Sequence, residues 1–243
     1  MTRLYVVVEG QTEEAFIKAV IAPHLLLNAI EVYPIIVATK LERTGRKHRG
    51  GGHWQLWRRD IRRVCGEQKR DARVTTMFDL YGLPPDFPGL DTHRHEADTR
   101  VRCEKLEQAM QVDIDDWRFI RYLQRHEFEA LVLAGLPELE KLLDHPADLA
   151  GLGRLRADVG PLTPEDVDDG PETAPSKRLG RFIPAYNRGG KVLYGELVTE
   201  GTGIAVLRSL CPRFGDWIGK LEALGDVSPG LAGAQGAATP SAG

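Results

Sequence analysis

Residues 4–14 have the sequence LYVVVEGQTEE, and this stretch decides the class of fold. The apolar, β-branched run of residues 4–8 is typical of a buried strand in a parallel sheet. Gly10 allows a tight turn, and Thr12 is a suitable N-cap for a helix that has two acidic residues in its first turn. This order of strand, turn and helix places Glu9 at the carboxyl end of a strand, where open α/β sheets bind their ligands.

Strand and helix patterns alternate through the next part of the chain. Apolar runs predict strands at residues 32–38, 73–79 and 119–123, and helical spacing predicts helices at 13–29, 53–70, 99–111 and 127–143. Pro23 is expected to kink or split the first of these helices. The alternation predicts an α/β fold with a mainly parallel, Rossmann-like sheet flanked by helices.

The composition changes after the fourth predicted helix. Residues 146–176 are rich in Pro, Gly and Asp and predict a long loop with one short helix. We expect three parts: an α/β core at 1–144, a loop-rich and helical C-terminal extension at 145–224, and a tail at 225–243. The tail is rich in Gly, Ala, Ser and Pro, which predicts disorder.

The overall composition is that of an ordinary globular protein, because 42% of the 243 residues are hydrophobic and 28% are charged. No apolar stretch is long enough to span a membrane, and the N-terminus does not resemble a signal peptide. Cys65, Cys103 and Cys211 are too widely separated for a disulfide framework or a zinc motif. We therefore expect a cytoplasmic protein with reduced thiols and no membrane association.

Acidic residues stand at or after the ends of three predicted strands. They are Glu9, Asp79, and the pair Glu127 and Glu129, and Glu13 lies one turn into the first helix. Because the carboxyl ends of parallel strands meet in one crevice, we expect these side chains to converge. Carboxylates in such a cluster repel one another unless a cation compensates them, and oxygen-only ligands suit Mg²⁺ or Mn²⁺ rather than zinc. The sequence predicts a site for one or two such ions, suited to activating water at a phosphate.

The same acidic residues also have structural interpretations. Glu13, Glu127 and Glu129 stand at predicted helix starts, where a carboxylate stabilises the positive end of the helix dipole. Asp79 can initiate the turn that follows it. Glu9 has no evident structural partner, which makes it the strongest candidate of the five.

Positive charge is concentrated between residues 40 and 73, although the net charge of −3 argues against nucleic-acid binding by overall charge. This segment contains twelve Lys and Arg residues and four acidic residues. Residues 43–52 form a basic, glycine-rich loop that can contact phosphates without sequence preference, and a tryptophan that follows can stack on bases. The alternatives are a solvated loop and a tryptophan in the core. The candidates for nucleic-acid contact are Arg43, Arg46, Lys47, Arg49 and Trp54.

Together these motifs resemble a bacterial Toprim-like family of unknown function, which is similar to the Toprim nuclease domains of the OLD (overcoming lysogenization defect) proteins. The motifs are VEGQTE at 8–13, Asp79 at a strand end, HEFEAL at 126–131, PSKR at 175–178 and CPRF at 211–214. The resemblance extends over roughly residues 1–224 and implies a Toprim-like core. Toprim domains carry a Glu after their first strand and a later Asp-x-Asp, which bind Mg²⁺ and support phosphodiester chemistry.

The resemblance implies a role for each matching residue. Glu9 matches the first-strand glutamate, a metal ligand or general acid/base, and Glu13 matches a second acid of the OLD-type nucleases. Asp79 matches the first Asp of Asp-x-Asp, whereas Tyr81 replaces the second. Lys177 is the candidate for the basic residue that stabilises the charged transition state.

The replacement at position 81 affects the second metal ion. Glu127 or Glu129 would have to supply the missing ligand for two ions to bind.

We therefore expect a Mg²⁺- or Mn²⁺-dependent nuclease acting on phosphodiester bonds in DNA or RNA. The family association implies a bacterial defence or mobile-element setting with an ATPase partner, since the sequence itself has no Walker motif. The alternative is a non-catalytic, Toprim-fold partner subunit of an ATPase complex. A primase-like nucleotidyl transferase is a weaker third alternative, and a homodimer is compatible with the sequence.

Overall fold

The computed structural model describes residues 1–37, 52–67, 72–167, 170 and 173–225. The strands are β1 (Thr2–Val8), β2 (Ile30–Ile36), β3 (Ala72–Asp79), β4 (Phe119–Ile120) and β5 (Leu123–Gln124). The helices of the first half are α1 (Gln11–Phe16), a π-helical turn (Ile17–Ile21), α2 (Ala22–Leu26), α3 (Trp54–Glu67), α4 (Leu90–His93) and α5 (Thr99–Ile114). Those of the second half are α6 (Glu129–Ala134), α7 (Leu136–Lys141), α8 (Pro146–Val159), a 3₁₀ turn (Pro164–Asp166), α9 (Pro175–Phe182), a π-helical turn (Tyr186–Gly190), α10 (Lys191–Leu210) and α11 (Pro212–Glu222).

The five strands form one parallel sheet, with β2, β1, β3 and β4 side by side and β5 pairing with the end of β3. The chain leaves β1 for β2 on one side and returns to β3 on the other. The sheet therefore has its topological switch point between β1 and β3, and a crevice opens there at the carboxyl ends of the strands. The predicted α/β fold with a mainly parallel sheet flanked by helices is confirmed.

Helices cover both faces of this sheet. On one face, Leu4 and Val6 of β1 share a hydrophobic cluster with Phe16 of α1 and with Phe214 and Trp217 of α11. The C-terminal helices therefore contribute to the same core as the first strand.

The other face is packed by α3 and α5. Val7 of β1 and Phe78 of β3 lie in a second cluster with Trp57 and Leu106 from these helices. Alternate residues of β1 are buried on opposite faces of the sheet, which explains why the apolar run of this strand is continuous.

Polar residues inside β3 are satisfied by hydrogen bonds. Thr75 and Thr76 are fully buried, and their hydroxyl groups donate to the carbonyl oxygens of Ile120 and Tyr122 at 2.7 and 2.6 Å. These bonds attach the short β4–β5 edge to the centre of the sheet, and thereby fix the residues that follow β5.

Some predicted elements are divided in the structure. The helix predicted at 13–29 is interrupted by a π-helical turn just before Pro23, whose missing N–H removes one helical hydrogen bond. The predicted fourth strand is split into β4 and β5, and the helix predicted at 127–143 is split at Gly135.

The prediction of a loop at 146–176 is wrong for its first half, because residues 146–159 form the regular helix α8. Its proline lies at the first helical position, where it starts a helix instead of breaking it. The side chain of His145 caps the helix by accepting the N–H of Ala147. The division of the chain at residue 144 stays a prediction, and residues 226–243 of the predicted tail lie outside the described residues. In the described part of the chain, no helix combines the length and apolarity needed to cross a bilayer.

Two glycines of α8 provide a test of how closely α8 and α9 pack. A Cβ at Gly151 would collide with the carbonyl oxygen of Phe182 in α9, whereas a Cβ at Gly153 would meet nothing within 4 Å. We expect Gly151→Ala to lower the free energy of unfolding by about 1–3 kcal/mol through overpacking. The matched Gly153→Ala should raise it by about 0.5–1 kcal/mol through helix propensity. Chemical denaturation of both variants measures the difference, and equal effects would contradict this packing.

Candidate functional site

The centre of the site lies at the switch point, where β1 and β3 end side by side. Glu9 follows β1, and its Oε1 accepts a 2.7 Å hydrogen bond from the backbone N–H of Asp79, the last residue of β3. The chain then turns over the Glu9 carboxylate at Gly82, where a Cβ would lie only 2.5 Å from Oε2. Gly82 is therefore required for this close approach, and the first two predicted acids are neighbours as expected.

The segment before α6 brings in the next acidic residues. Asp79 Oδ1 accepts a 2.8 Å hydrogen bond from the backbone N–H of Phe128, between Glu127 and Glu129. Glu127 is half-buried, and its Oε2 accepts the N–H of Ser176 at 2.9 Å, in the first turn of α9. The two glutamates therefore lie on either side of the backbone group that holds Asp79.

Glu129 is completely buried and has an unusual set of partners. Its Oε1 accepts a 3.1 Å hydrogen bond from the hydroxyl of Tyr186 and lies 2.6 Å from Nζ of Lys191. Its Oε2 is buried without any hydrogen-bond partner among the described residues. A carboxylate oxygen left unsatisfied in this way is a position where a cation would be stabilised.

Burial is the main cause of the raised pKa values in the cluster, and repulsion between the carboxylates adds to it. Burial and the neighbouring Glu13 raise the pKa of Glu9 to about 8. Burial, then the charges of Glu9 and Glu13, raise the pKa of Asp79 well above its usual range. Burial also raises the pKa of Glu13, with a further contribution from Glu129. In the absence of a cation, these carboxylates are thus driven towards protonation.

The donor set fits a hard divalent cation, because it consists of carboxylate oxygens and includes the unsatisfied Oε2 of Glu129. Within the described residues, no three acidic, histidine or cysteine side chains are arranged to hold a metal ion as they stand. Several of the carboxylates are instead held by backbone N–H groups and by one lysine.

The lysine of the site is Lys191, which the sequence analysis missed. Burial lowers the pKa of its ammonium group, but the charge and hydrogen bond of Glu129 outweigh that effect and raise the pKa. Lys177, the predicted basic residue, is instead exposed on α9, and none of its described contacts involves the acidic cluster. The sequence feature that could have pointed to Lys191 is the pair of glycines before it. In the structure, Gly189 has a φ of +91° in the turn that starts α10.

Tyr81 occupies the position at which the resemblance expects a second Asp. Its hydroxyl lies 3.0 Å from Nδ1 of His126, and Nε2 of His126 lies 2.9 Å from the carbonyl oxygen of Glu165. Because a carbonyl oxygen only accepts, Nε2 is a donor in this arrangement. A hydrogen-bonded tyrosine–histidine pair therefore stands where a carboxylate was expected.

The predicted nucleic-acid contacts have a mixed outcome. Arg43, Arg46, Lys47 and Arg49 lie outside the described residues. Trp54 is only 2% exposed, packs edge-on against Phe87, and donates its indole N–H to Asp113. The expectation that Trp54 stacks on bases is therefore corrected, because this side chain of α3 is buried against Phe87 and hydrogen-bonded to Asp113 of α5.

Residues 8–222 match the model of a protein family described as a domain of unknown function, DUF4276. No curated protein and no solved structure is significantly similar to the chain.

The raised pKa of Glu9 predicts how stability depends on pH without metal. Between its ordinary pKa of 4.5 and about 8, the folded protein binds more protons than the unfolded chain, so stability falls as pH rises. Glu9→Gln removes this charge and retains an oxygen to accept the N–H of Asp79. We expect the variant to melt at a higher temperature than the wild type at pH 8.5 in EDTA, and at nearly the same temperature at pH 5.

The control for this measurement is Glu14→Gln, which makes the same chemical change at a carboxylate that pairs with Lys18. Its melting temperature should change with pH as that of the wild type does. An unchanged pH dependence in Glu9→Gln would show that Glu9 is not held in a repulsive cluster.

Proposed function

Because the chain belongs to the DUF4276 family, whose function is unknown, we propose from the site itself that the protein is a divalent-metal-dependent nuclease. It would hydrolyse phosphodiester bonds in DNA or RNA. The observation that carries the proposal is the repulsive cluster of Glu9, Asp79, Glu13 and Glu129 at the switch point of a parallel sheet. A cation is one way to stabilise such a cluster in its ionised form, and a metal ion at this position is suited to phosphate chemistry.

Glu9 and Asp79 would hold the principal Mg²⁺ or Mn²⁺ ion, with Glu13 and either Glu127 or Glu129 completing the site. The ion would compensate the carboxylates, activate a water molecule and stabilise the leaving oxygen. The protein's own contribution is to fix its ligands in advance. The N–H groups of Asp79 and Phe128 orient the carboxylates of Glu9 and Asp79, so that these side chains are held in place before substrate binds.

Lys191 is the group best placed to bind a phosphate oxygen. Its ammonium group is held at Glu129, remains half-exposed, and is also influenced by the charges of Asp79 and Glu13. A fixed ammonium beside the scissile phosphate would stabilise the negative charge that develops there. It would perform the task that the sequence analysis gave to Lys177.

The resemblance to Toprim nuclease domains supports the same proposal and extends it. It suggests a cytoplasmic protein of a bacterial defence or mobile-element system that acts with a separately encoded ATPase. The parallel sheet with a glutamate after β1 and an aspartate at the end of β3 is compatible with that relationship.

One observation favours a second candidate, a non-catalytic partner subunit of an ATPase complex. Tyr81 and His126 form a hydrogen-bonded pair where the resemblance expects a metal-binding Asp, and Lys191 already supplies one positive charge to the cluster. A site of this kind can be stable with one structural ion or with none. The two candidates differ in whether the purified protein cleaves nucleic acid.

The test is cleavage of plasmid, single-stranded DNA and RNA in the presence of Mg²⁺, Mn²⁺ or EDTA. We expect metal-dependent products, and we expect Glu9→Gln and Asp79→Asn to lower the rate at least about 100-fold through loss of metal-bound charge. Glu14→Gln is the matched control and should cleave as the wild type does. Absence of cleavage with every metal and substrate would favour the partner subunit.

The two lysines can be compared in the same assay. Lys191→Ala should lower the cleavage rate about 100-fold or more, because a fixed cation beside the phosphate is lost, whereas Lys177→Ala should leave it nearly unchanged. Lys191→Arg keeps a cation at Glu129 and should retain part of the activity. A large loss in Lys177→Ala, or none in Lys191→Ala, would reverse this assignment.

A further inference from the structure

A cavity of about 640 Å³ opens beside Glu127, at the edge of the acidic cluster. Its lining includes Tyr81, Arg94, His95, Arg102 and Glu127. Cavities of this size bind small ligands, and a single nucleotide fits within it. An aromatic ring and cationic side chains therefore line a cavity beside the candidate phosphodiester site.

Arg102 of α5 is the feature of the cavity that points to an anion. Its Nε is buried and has no hydrogen-bond partner, and one of its terminal nitrogens makes only a 3.5 Å contact, with the carbonyl oxygen of Arg94. Among the described residues, no carboxylate forms an ion pair with it. A partly buried guanidinium group with an unsatisfied Nε–H is stabilised when an anion binds, and phosphate matches its geometry.

The charged side chains of Arg94 and Glu96 in the lining already have ion-pair partners. Arg94 pairs with Asp91 at 2.5 Å, and Glu96 pairs with Lys105 at 2.5 Å. Arg102 is thus distinguished from its neighbours on the same side of the protein.

Tyr81 supplies a flat wall to the same cavity. Its ring is half-buried, and its hydroxyl is bonded to His126, which limits how the ring can rotate. An aromatic ring fixed in this way is a suitable surface for a nucleobase, whichever base is present.

We propose that this cavity binds the nucleotide next to the scissile phosphate, with Arg102 contacting its phosphate and Tyr81 stacking on its base. The identification of the scissile position rests on the proposed nuclease function. A nucleotide inside a duplex would have to be unpaired and swung out to enter such a cavity, which costs free energy. The preferred substrate is accordingly a single strand.

Binding is measured in EDTA, so that no cleavage is needed. The probes are deoxythymidine 3′,5′-bisphosphate and short fluorescent oligothymidylate and oligouridylate strands, each compared with the corresponding duplex. The wild type should bind the bisphosphate and should prefer single strands. Arg102→Gln should weaken both about 10-fold or more, as expected for loss of a charge-assisted phosphate contact.

Two comparisons separate the cavity from general electrostatic attraction. Arg100→Gln removes the same charge from the same helix at an exposed residue paired with Glu104, outside the lining of this cavity, and should bind nearly as the wild type does. Tyr81→Ala should lower the affinity about 10-fold, whereas Tyr81→Phe, which keeps the ring and loses only the bond to His126, should lower it less. Equal losses of affinity in Arg100→Gln and Arg102→Gln would overturn the proposal. It would also be overturned if the wild type does not bind the bisphosphate, or if it binds duplexes as tightly as single strands.

The outcome is independent of the nuclease test. If Arg102→Gln binds more weakly but the wild type cleaves nothing, the nucleotide site is supported and the nuclease function is contradicted. If cleavage depends on Glu9 but Arg102→Gln binds as the wild type does, the nuclease function is supported and the nucleotide site is contradicted.

Discussion

The repulsion among the carboxylates at the ends of β1 and β3 is the constraint on which the rest of the site depends. Glu9 and Asp79 come from adjacent parallel strands, so the topology alone forces them together. Glu13 and Glu129, both buried, add to the same negative field. Such an arrangement lowers stability unless each group is neutralised, hydrogen-bonded or bound to a cation.

The protein meets this constraint by bringing a donor from a different element to almost every carboxylate. β3 supplies an N–H to Glu9, the segment before α6 supplies one to Asp79, and the first turn of α9 supplies one to Glu127. Lys191 at the start of α10 then reaches Glu129. These contacts connect the first strand to helices near the end of the chain, and they explain why the C-terminal helices contribute to the same core as β1. The geometry of the site and the packing of α9 and α10 therefore depend on each other.

Local patterns made the centre of this arrangement predictable, and distant contacts made the rest unpredictable. The apolar run before Glu9 and the strand ending at Asp79 are visible in single stretches of sequence, and parallel pairing follows from their order. The partner of Glu129 lies far along the chain, and nothing near Lys191 except its preceding glycines marks it as functional. Helix α8 is not evident from the sequence because Pro and Gly are typical of loops, although proline at a first helical position favours a helix. Trp54 was ambiguous for a different reason, since spacing cannot tell a stacking surface from a core face.

The charge of the cluster connects Tyr81 to Lys191. With Glu9, Glu13, Asp79, Glu127 and Glu129 ionised and Lys191 protonated, five negative charges face one positive charge. An additional Asp at position 81 would add a further negative charge. The hydrogen-bonded Tyr81–His126 pair and the Glu129–Lys191 pair act in the same direction, because both limit the net negative charge at the ends of β1 and β3. Tyr81 does so by standing where the resemblance predicts an Asp, and Lys191 does so by pairing with a buried carboxylate.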